Sequence, residues 1–369
     1  MRTALVHDRL TGLGGSERVA LVLAKAFKAD IYTAKYISEK NYSEFKKFRV
    51  QEVNPIPDLP ISHVHPLIRM LDAAKFSSLR DLRKYDLLLT SGEWAHFAAK
   101  NNPRNLWYCY SPNRALYDLR KKISSRYSVF WRFMFNRWAS FWTTRDQKAV
   151  KHVCKIATLS KTVALRIKKF YKRDAEIIYP PVELTKFYFR TPEDYYLSVQ
   201  RLMPEKRVEL QLQTFERLPT EKLIIVGKAE SNKEYQKKLS RWIERLPNVE
   251  WRKEVSDKEL KELYARCKAT IQTPVDEDFG LIAIESMASG KPCIAVDEGG
   301  FRETIIHGKT GLLIKKPYVK NFVDAIKNFE KYDFDPKICQ KRAGEFSEKK
   351  FVKKIRKIAM EVLSQENVQ

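Results

Sequence analysis

Hydrophobic positions along this chain follow two alternating rhythms. Short aliphatic, β-branched and aromatic runs predict strands over 3–6, 31–34, 87–90, 106–109, 156–159 and 176–179 in the first half. A second set falls at 196–199, 223–226, 249–251, 270–273, 293–296 and 312–314. In many of the gaps apolar residues recur at helical spacing. This predicts helices over 16–27, 162–170, 208–217, 235–243, 257–266, 280–288 and 321–329. Such alternation builds parallel sheets with helices on both faces. It starts afresh after Tyr179-Pro180-Pro181-Val182, where two prolines remove two amide donors and stiffen a connector. The expected fold class is therefore α/β, with two doubly wound domains, 1–178 and 179–345. One large domain with a loop at the prolines is the competing reading. Residues 346–369 carry a last helix, 348–363, basic at its start, and a return to the first domain is open to it. No internal repeat at a fixed period is present.

Composition narrows the picture. The 369 residues are enough for two cores, and 44% hydrophobic content excludes disorder over most of the chain. Lys and Arg number 70 against 45 Asp and Glu, a formal charge of +25. That surplus calls for an anionic partner, and nucleic acid, anionic lipid and phosphorylated substrates all qualify. The five cysteines are scattered without a Cys-x-x-Cys pair, which argues against a disulfide framework or zinc ribbon and fits a reducing cytosol. The first residues read as a strand rather than a signal peptide, and no apolar run is long enough to predict a transmembrane helix.

Three stretches carry candidate chemistry. Thr11-Gly12-Leu13-Gly14-Gly15-Ser16-Glu17 lies between the first strand and first helix, where glycines let a ligand approach the backbone and helix amides face an anion. It lacks a full dinucleotide fingerprint and the Gly-Lys-Ser/Thr of a P-loop, and a tight turn is the plain alternative. Arg201, with Glu205-Lys206-Arg207, follows the first strand of the second domain, the edge at which open α/β sheets bind ligands. Arg201 and Lys206 there would suit a diphosphate; a solvated basic loop is the alternative. The third stretch, 274–290, ends a strand, passes Asp276-Glu277-Asp278 and opens a helix at Phe279-Gly280-Leu281, whose amides would face a phosphate. Glu285, beside that helix's apolar face, would accept hydrogen bonds from a ribose diol, unless either glutamate only complements the helix dipole. Gly299-Gly300-Phe301-Arg302-Glu303 repeats the strand–glycine–helix layout.

Together these motifs resemble the family-4 glycosyltransferases, retaining enzymes of the GT-B fold. The matching pieces are Gly14-Gly15-Ser16-Glu17-Arg18, Arg201 with Glu205-Lys206-Arg207, the Glu277 and Glu285 pair, and Gly299-Gly300 with Glu303. Glu285-Ser286-Met287-Ala288-Ser289-Gly290-Lys291-Pro292 is similar to the family's Glu-Ala-Met-Ala-x-Gly-x-Pro. The resemblance spans nearly the whole chain. It implies two Rossmann-like domains with a nucleotide-sugar in an interdomain cleft. It also implies that Arg201 and Lys206 hold the donor diphosphate, Glu277 contacts the transferred sugar and Glu285 the ribose. Gly14 and Gly15 would close the first-domain side of the phosphate site, and Gly227 with Lys228 join the donor-binding set. No metal or other cofactor is implied, because cationic side chains and helix amides serve in place of a cation.

Within the family, the chain looks closest to the mannosyltransferase-like branch that builds surface polysaccharides and lipid-linked glycans. Tyr108-Cys109-Tyr110-Ser111-Pro112-Asn113-Arg114 resembles that branch's Tyr-Cys-His-Thr-Pro-x-Arg, with Tyr110 where a His is usual. Tyr110, Asn113 and Arg114 are thereby expected at the acceptor. The implied reaction moves a hexose, mannose from GDP-mannose, to a glycan or polyprenyl-diphosphate-linked acceptor at the inner face of the cell membrane. A nucleotide-sugar epimerase, or a non-catalytic lipid- or RNA-binding protein of the same fold, are the alternatives.

Two ligand-like spacings read as unrelated to metal. Asp276-x-Asp278 overlaps the glutamate pair, and His63-x-His65 precedes Pro66 in what reads as a surface turn. A basic aromatic segment, 114–151, holds ten Lys or Arg and two acids, and eight of the sixteen residues in 127–142 are aromatic. Tyr127, Trp131, Met134, Trp138 and Phe141 share one helical face, and Phe130, Phe133 and Phe135 widen it. Arg132 and Arg137 make a bilayer span unfavourable, so the segment packs the first domain, lies on an anionic membrane, or does both on different faces. No nucleic-acid-binding motif accompanies it.

Overall fold

The computed structural model describes residues 1–54, 65–229 and 233–364, and of 65–67 the backbone alone. His63 and the side chain of His65 therefore lie outside the described residues. The chain forms two compact units, one of Met1–Pro181 with Glu348–Gln369 and one of Val182–Ser347. Each is α/β, as the sequence pattern predicts.

The first unit is built on seven parallel strands: β1 (Thr3–His7), β2 (Asp30–Thr33), β3 (Val50–Glu52), β4 (Leu87–Ser91), β5 (Asn105–Cys109), β6 (Lys155–Thr158) and β7 (Glu176–Ile177). Their order is β3-β2-β1-β4-β5-β6-β7, so the winding reverses between β1 and β4. Helices α1 (Gly15–Phe27), α2 (His65–Ser77), α3 (Arg120–Ser124), α4 (Val129–Val150) and α5 (Lys161–Tyr171) belong to it. The second unit has six parallel strands: β8 (Tyr196–Val199), β9 (Leu223–Val226), β10 (Val249–Arg252), β11 (Ala269–Gln272), β12 (Cys293–Val296) and β13 (Gly311–Ile314). Their order, β10-β9-β8-β11-β12-β13, reverses between β8 and β11. Its helices are α6 (Val208–Glu216), α7 (Lys233–Ile243), α8 (Asp257–Arg266), α9 (Leu281–Ala288), α10 (Phe301–Thr304), α11 (Val319–Lys327) and α12 (Pro336–Ala343). The inner strands are buried along their length, which is why they read as continuous apolar runs.

The last helix, α13 (Glu348–Ser364), belongs to the first unit. Phe351, Ile355, Ile358, Ala359 and Val362 are its buried face. Phe351 meets Tyr108 edge-on with ring centroids 5.5 Å apart, and Arg356 donates to the Ala26 carbonyl at 2.7 Å. All five cysteines are free. Among the described residues no helix is long and apolar enough to cross a membrane.

The aromatic segment behaves differently from its single-stripe expectation. Phe135 and Trp138 pack against the first unit's core and Trp142 is buried in it. Phe130, Trp131, Phe133, Met134 and Phe141 are exposed. The sequence stripe straddles the edge of the core, because both faces of α4 are apolar and spacing alone cannot say which turns inward.

Candidate functional site

In the second unit the candidate residues gather at the carboxyl ends of β8, β9, β11 and β12. The loop after β8 is fixed by polar side chains beneath it. Gln200 donates to Ser198 Oγ at 3.0 Å and to Gln211 Oε1 at 3.3 Å, and Gln211 donates to Thr273 Oγ1 at 3.0 Å. Thr273 in turn donates to the Lys206 carbonyl at 2.8 Å. The amide of Val275 donates to the Glu205 carbonyl at 2.8 Å, which joins this loop to the acidic loop after β11. On the β9 side, the Leu202 amide donates to the Lys228 carbonyl at 2.8 Å. Arg201 thus sits, exposed, between two residues bonded to the end of β9. Gly227 permits this contact: its φ is +139°, and a Cβ there would stand 1.9 Å from the Gln200 carbonyl oxygen.

Lys206 and Glu277 meet directly, Nζ to Oε2 at 2.6 Å, both partly exposed. Arg207 pairs with Glu298 at 3.0 Å, and Glu298 also accepts the Asp276 amide at 3.1 Å. The Glu277 carbonyl accepts the Gly300 amide at 2.7 Å. A Cβ on Gly299, at φ +56°, would lie 2.1 Å from that same carbonyl. Three loops from β8, β11 and β12 are therefore cross-tied where the strand order reverses, the position at which open α/β sheets receive ligands. The Lys206 and Glu277 side chains are 22% and 25% exposed, which leaves the pair open to solvent on one side.

Gly280 precedes α9 and provides no side-chain cap, which leaves the helix start suited to an anionic group. Phe279 turns inward, 3% exposed, against Phe346. Leu281 is partly exposed in the first turn of α9. Glu285 is only 7% exposed, and the buried Tyr264 hydroxyl donates to its Oε2 at 2.9 Å. Lys228 is exposed and pairs with Glu254 at 2.9 Å. Among the described residues no cluster of three or more His, Cys, Asp or Glu could hold a metal ion.

The first unit carries its own candidate edge. Gly14 precedes α1, with its carbonyl accepting the Arg18 amide at 3.1 Å, and Gly15 is the first residue of the helix. Tyr110 donates to the Ser16 carbonyl at 2.9 Å, and Ser91 Oγ stands 2.7 Å from the Tyr110 oxygen. His7 Nδ1 lies 3.2 Å from Ser91 Oγ. Because Tyr110 donates onward, the chain runs His7 to Ser91 to Tyr110 to Ser16, and Nε2 of neutral His7 is left as an acceptor. Burial lowers the His7 pKa against the opposing pull of Asp8 and Glu17, so the imidazole is neutral near pH 7. Burial likewise pushes the Tyr110 hydroxyl up, and it stays protonated. Asn113 donates to Glu93 at 3.0 Å, and Arg114 pairs with Asp118 at 2.8 Å. Asp8 accepts the amides of Glu93, Trp94 and Ala95 at 2.7, 3.0 and 2.7 Å.

His7, Asp8, Ser91, Tyr264 and Glu298 escape the sequence reading. His7 and Ser91 end β1 and β4, the two strands flanking this unit's reversal, and only the strand order signals them.

Residues 184–349 match the family model described as glycosyl transferases group 1. The chain is 24% identical over 403 residues to the alpha-1,3/1,6-mannosyltransferase ALG2 of Dictyostelium discoideum, covering 93% of this chain and 92% of that protein. It is 29% identical over 208 residues to the O-antigen chain mannosyltransferase RfbU of Salmonella typhimurium, covering 51% of this chain and 58% of that one. The crystal structure of HepE from Anabaena in complex with UDP-glucose superposes with a TM-score of 0.74 at 18% identity, covering 98% of this chain and 100% of that one.

Proposed function

We propose that the chain, which matches the glycosyl transferases group 1 model over 184–349 and has a GT-B fold, is a family-4 glycosyltransferase that moves mannose from GDP-mannose. The acceptor in this reading is a glycan or a polyprenyl-diphosphate-linked saccharide at the inner face of the cell membrane. The two mannosyltransferase relatives support the sugar. The Lys206–Glu277 pair at the reversal of the second sheet is the observation that carries the chemistry.

Arg201 and Lys206 meet the donor diphosphate and neutralise the charge that develops as the anomeric carbon–oxygen bond breaks. Glu277, released from Lys206, accepts hydrogen bonds from the transferred hexose. Glu285, aimed by Tyr264, accepts from the ribose hydroxyls. Gly227 and Lys228 border the diphosphate, and the amides around Phe279, Gly280 and Leu281 add donors to it. Gly14 and Gly15 offer the same chemistry at the start of α1. Tyr110, Asn113 and Arg114 receive the acceptor. The acceptor oxygen bonds to the anomeric carbon on the face the phosphate leaves, and the departing phosphate takes the acceptor proton. Configuration is retained, and the scheme requires no metal.

A panel of nucleotide-sugars, scored by thermal shift and by transfer to a lipid-linked acceptor, tests this. GDP-mannose is expected to raise the melting temperature most, since binding to the folded state alone stabilises by mass action. A shift confined to a uridine sugar would overturn the donor, and sugar turnover without acceptor would favour an epimerase.

A further inference from the structure

A helix on a protein surface normally turns polar residues outward. Helix α4 does not. Its inward face packs through Phe135, Trp138, Ala139 and Trp142. Its outward face carries Phe130, Phe133, Met134 and Phe141, which are 64%, 61%, 46% and 49% exposed. At ~100° per residue these four fall within one sector of the helix, with Arg137 among them. The helix is too charged to span a bilayer, but an apolar face of this kind is stable when laid in a membrane interface.

Charge selects the occupant. The first unit holds 40 Lys and Arg against 18 Asp and Glu, whereas the second holds 30 against 27. Nearly all of the chain's positive surplus therefore lies in the first unit. No acidic residue occurs between Asp118 and Asp146, a stretch with seven Lys or Arg. Lys121, Lys122 and Arg126, in and just after α3, and Arg137, within the apolar sector of α4, are exposed. The corner is also built to hold its shape. Arg120 donates to the Asn136 carbonyl at 2.6 Å and to Ser140 Oγ at 2.7 Å, and Arg132 donates to the Ser124 and Tyr127 carbonyls at 3.3 Å. A second copy would present the same positive field and repel this one.

We propose that residues 129–141 of α4 and the α3–α4 corner dock the first unit on an anionic lipid bilayer. Phe130, Phe133, Met134 and Phe141 enter the acyl boundary while the surrounding cations meet headgroup phosphates. Each cation near such a surface contributes about 1 kcal/mol, which converts to roughly fivefold in binding. The docking surface deepens the reading of an enzyme working on a lipid-linked acceptor and rests on that reading for its use.

Flotation of the full chain with phosphatidylcholine vesicles, with and without one-third phosphatidylglycerol, tests the proposal. The wild-type protein is expected to float with the anionic vesicles and to be released by high salt. Phe130→Ser with Phe133→Ser should weaken binding about tenfold or more. Lys121→Glu with Lys122→Glu, which leaves the apolar face intact, should weaken it by a similar factor. Both variants should keep wild-type melting and wild-type binding of nucleoside diphosphate. Undiminished flotation of both variants would overturn the proposal. So would self-association through α4, or capture by an oligonucleotide, in the absence of vesicle binding. Loss of diphosphate binding with flotation intact would instead count against the donor site alone.

Discussion

Lys291 is 1% exposed, with its ammonium donating to the Arg190 carbonyl at 2.7 Å and lying 4.3 Å from the centre of the Phe189 ring. Burial holds its pKa down at about 8, against 10.5 for an ordinary lysine. Between those two values the folded state has released a proton that the unfolded chain still keeps, so this group makes stability rise with pH across that window. Lys291→Met removes the effect. The methionine variant should gain most over wild type below pH 8, and that advantage should shrink by about 1–3 kcal/mol as pH approaches 10.5. Cys267, Cys293 and Cys339, whose burial pushes their thiols up to about 12, titrate in both proteins and largely cancel in the comparison. Urea unfolding at several pH values checks it, and parallel curves would contradict it. At this scale the contiguous motifs were legible: Arg201 to Arg207, and Asp276 to Glu285. Their pairings were not, because Lys206 and Glu277 are 71 residues apart, and His7 and Ser91 are 84.

Elements were legible in proportion to their burial. Tyr196–Val199, Leu223–Val226, Cys293–Val296 and Asp257–Arg266 begin and end where the hydrophobic pattern puts them. β3 is absent from the pattern because it is three residues long, partly exposed and at the edge of its sheet. α11 starts two residues before its expected 321, and Phe329 falls in a short 3₁₀ turn instead of the helix. α2 and α12 went unread. The turn after β9 offers the sharpest test at this scale. Gly227→Ala forces a side chain into both an unfavourable φ and the Gln200 carbonyl, and should cost about 3 kcal/mol or more. A wild-type urea midpoint for that variant would show that the two turns do not approach as described.

The whole chain returns on itself, since α13 follows the second unit in sequence and belongs to the first. Four large apolar side chains of α13, with Ala359, are buried there. Large buried apolar side chains contribute about 1.5–3 kcal/mol each, comparable in total with the ~5–15 kcal/mol stability of a domain. Ending the chain at Ser347 should therefore unfold the first unit and leave the melting of the second nearly unchanged. Calorimetry with two resolved transitions reads this directly, and equal loss from both would refute the division. The α/β class was legible from alternation alone, whereas the sheet order that makes the β8–β11 edge a reversal point was not, because no strand reveals its neighbours. The proposed donor site lies at that edge, and titration calorimetry of the full chain with GDP, before and after Lys206→Ala, reads its occupancy. The wild-type protein should bind one GDP, and the variant, with unchanged melting, should bind it about tenfold or more weakly. Undiminished GDP binding after Lys206→Ala would contradict the proposed site.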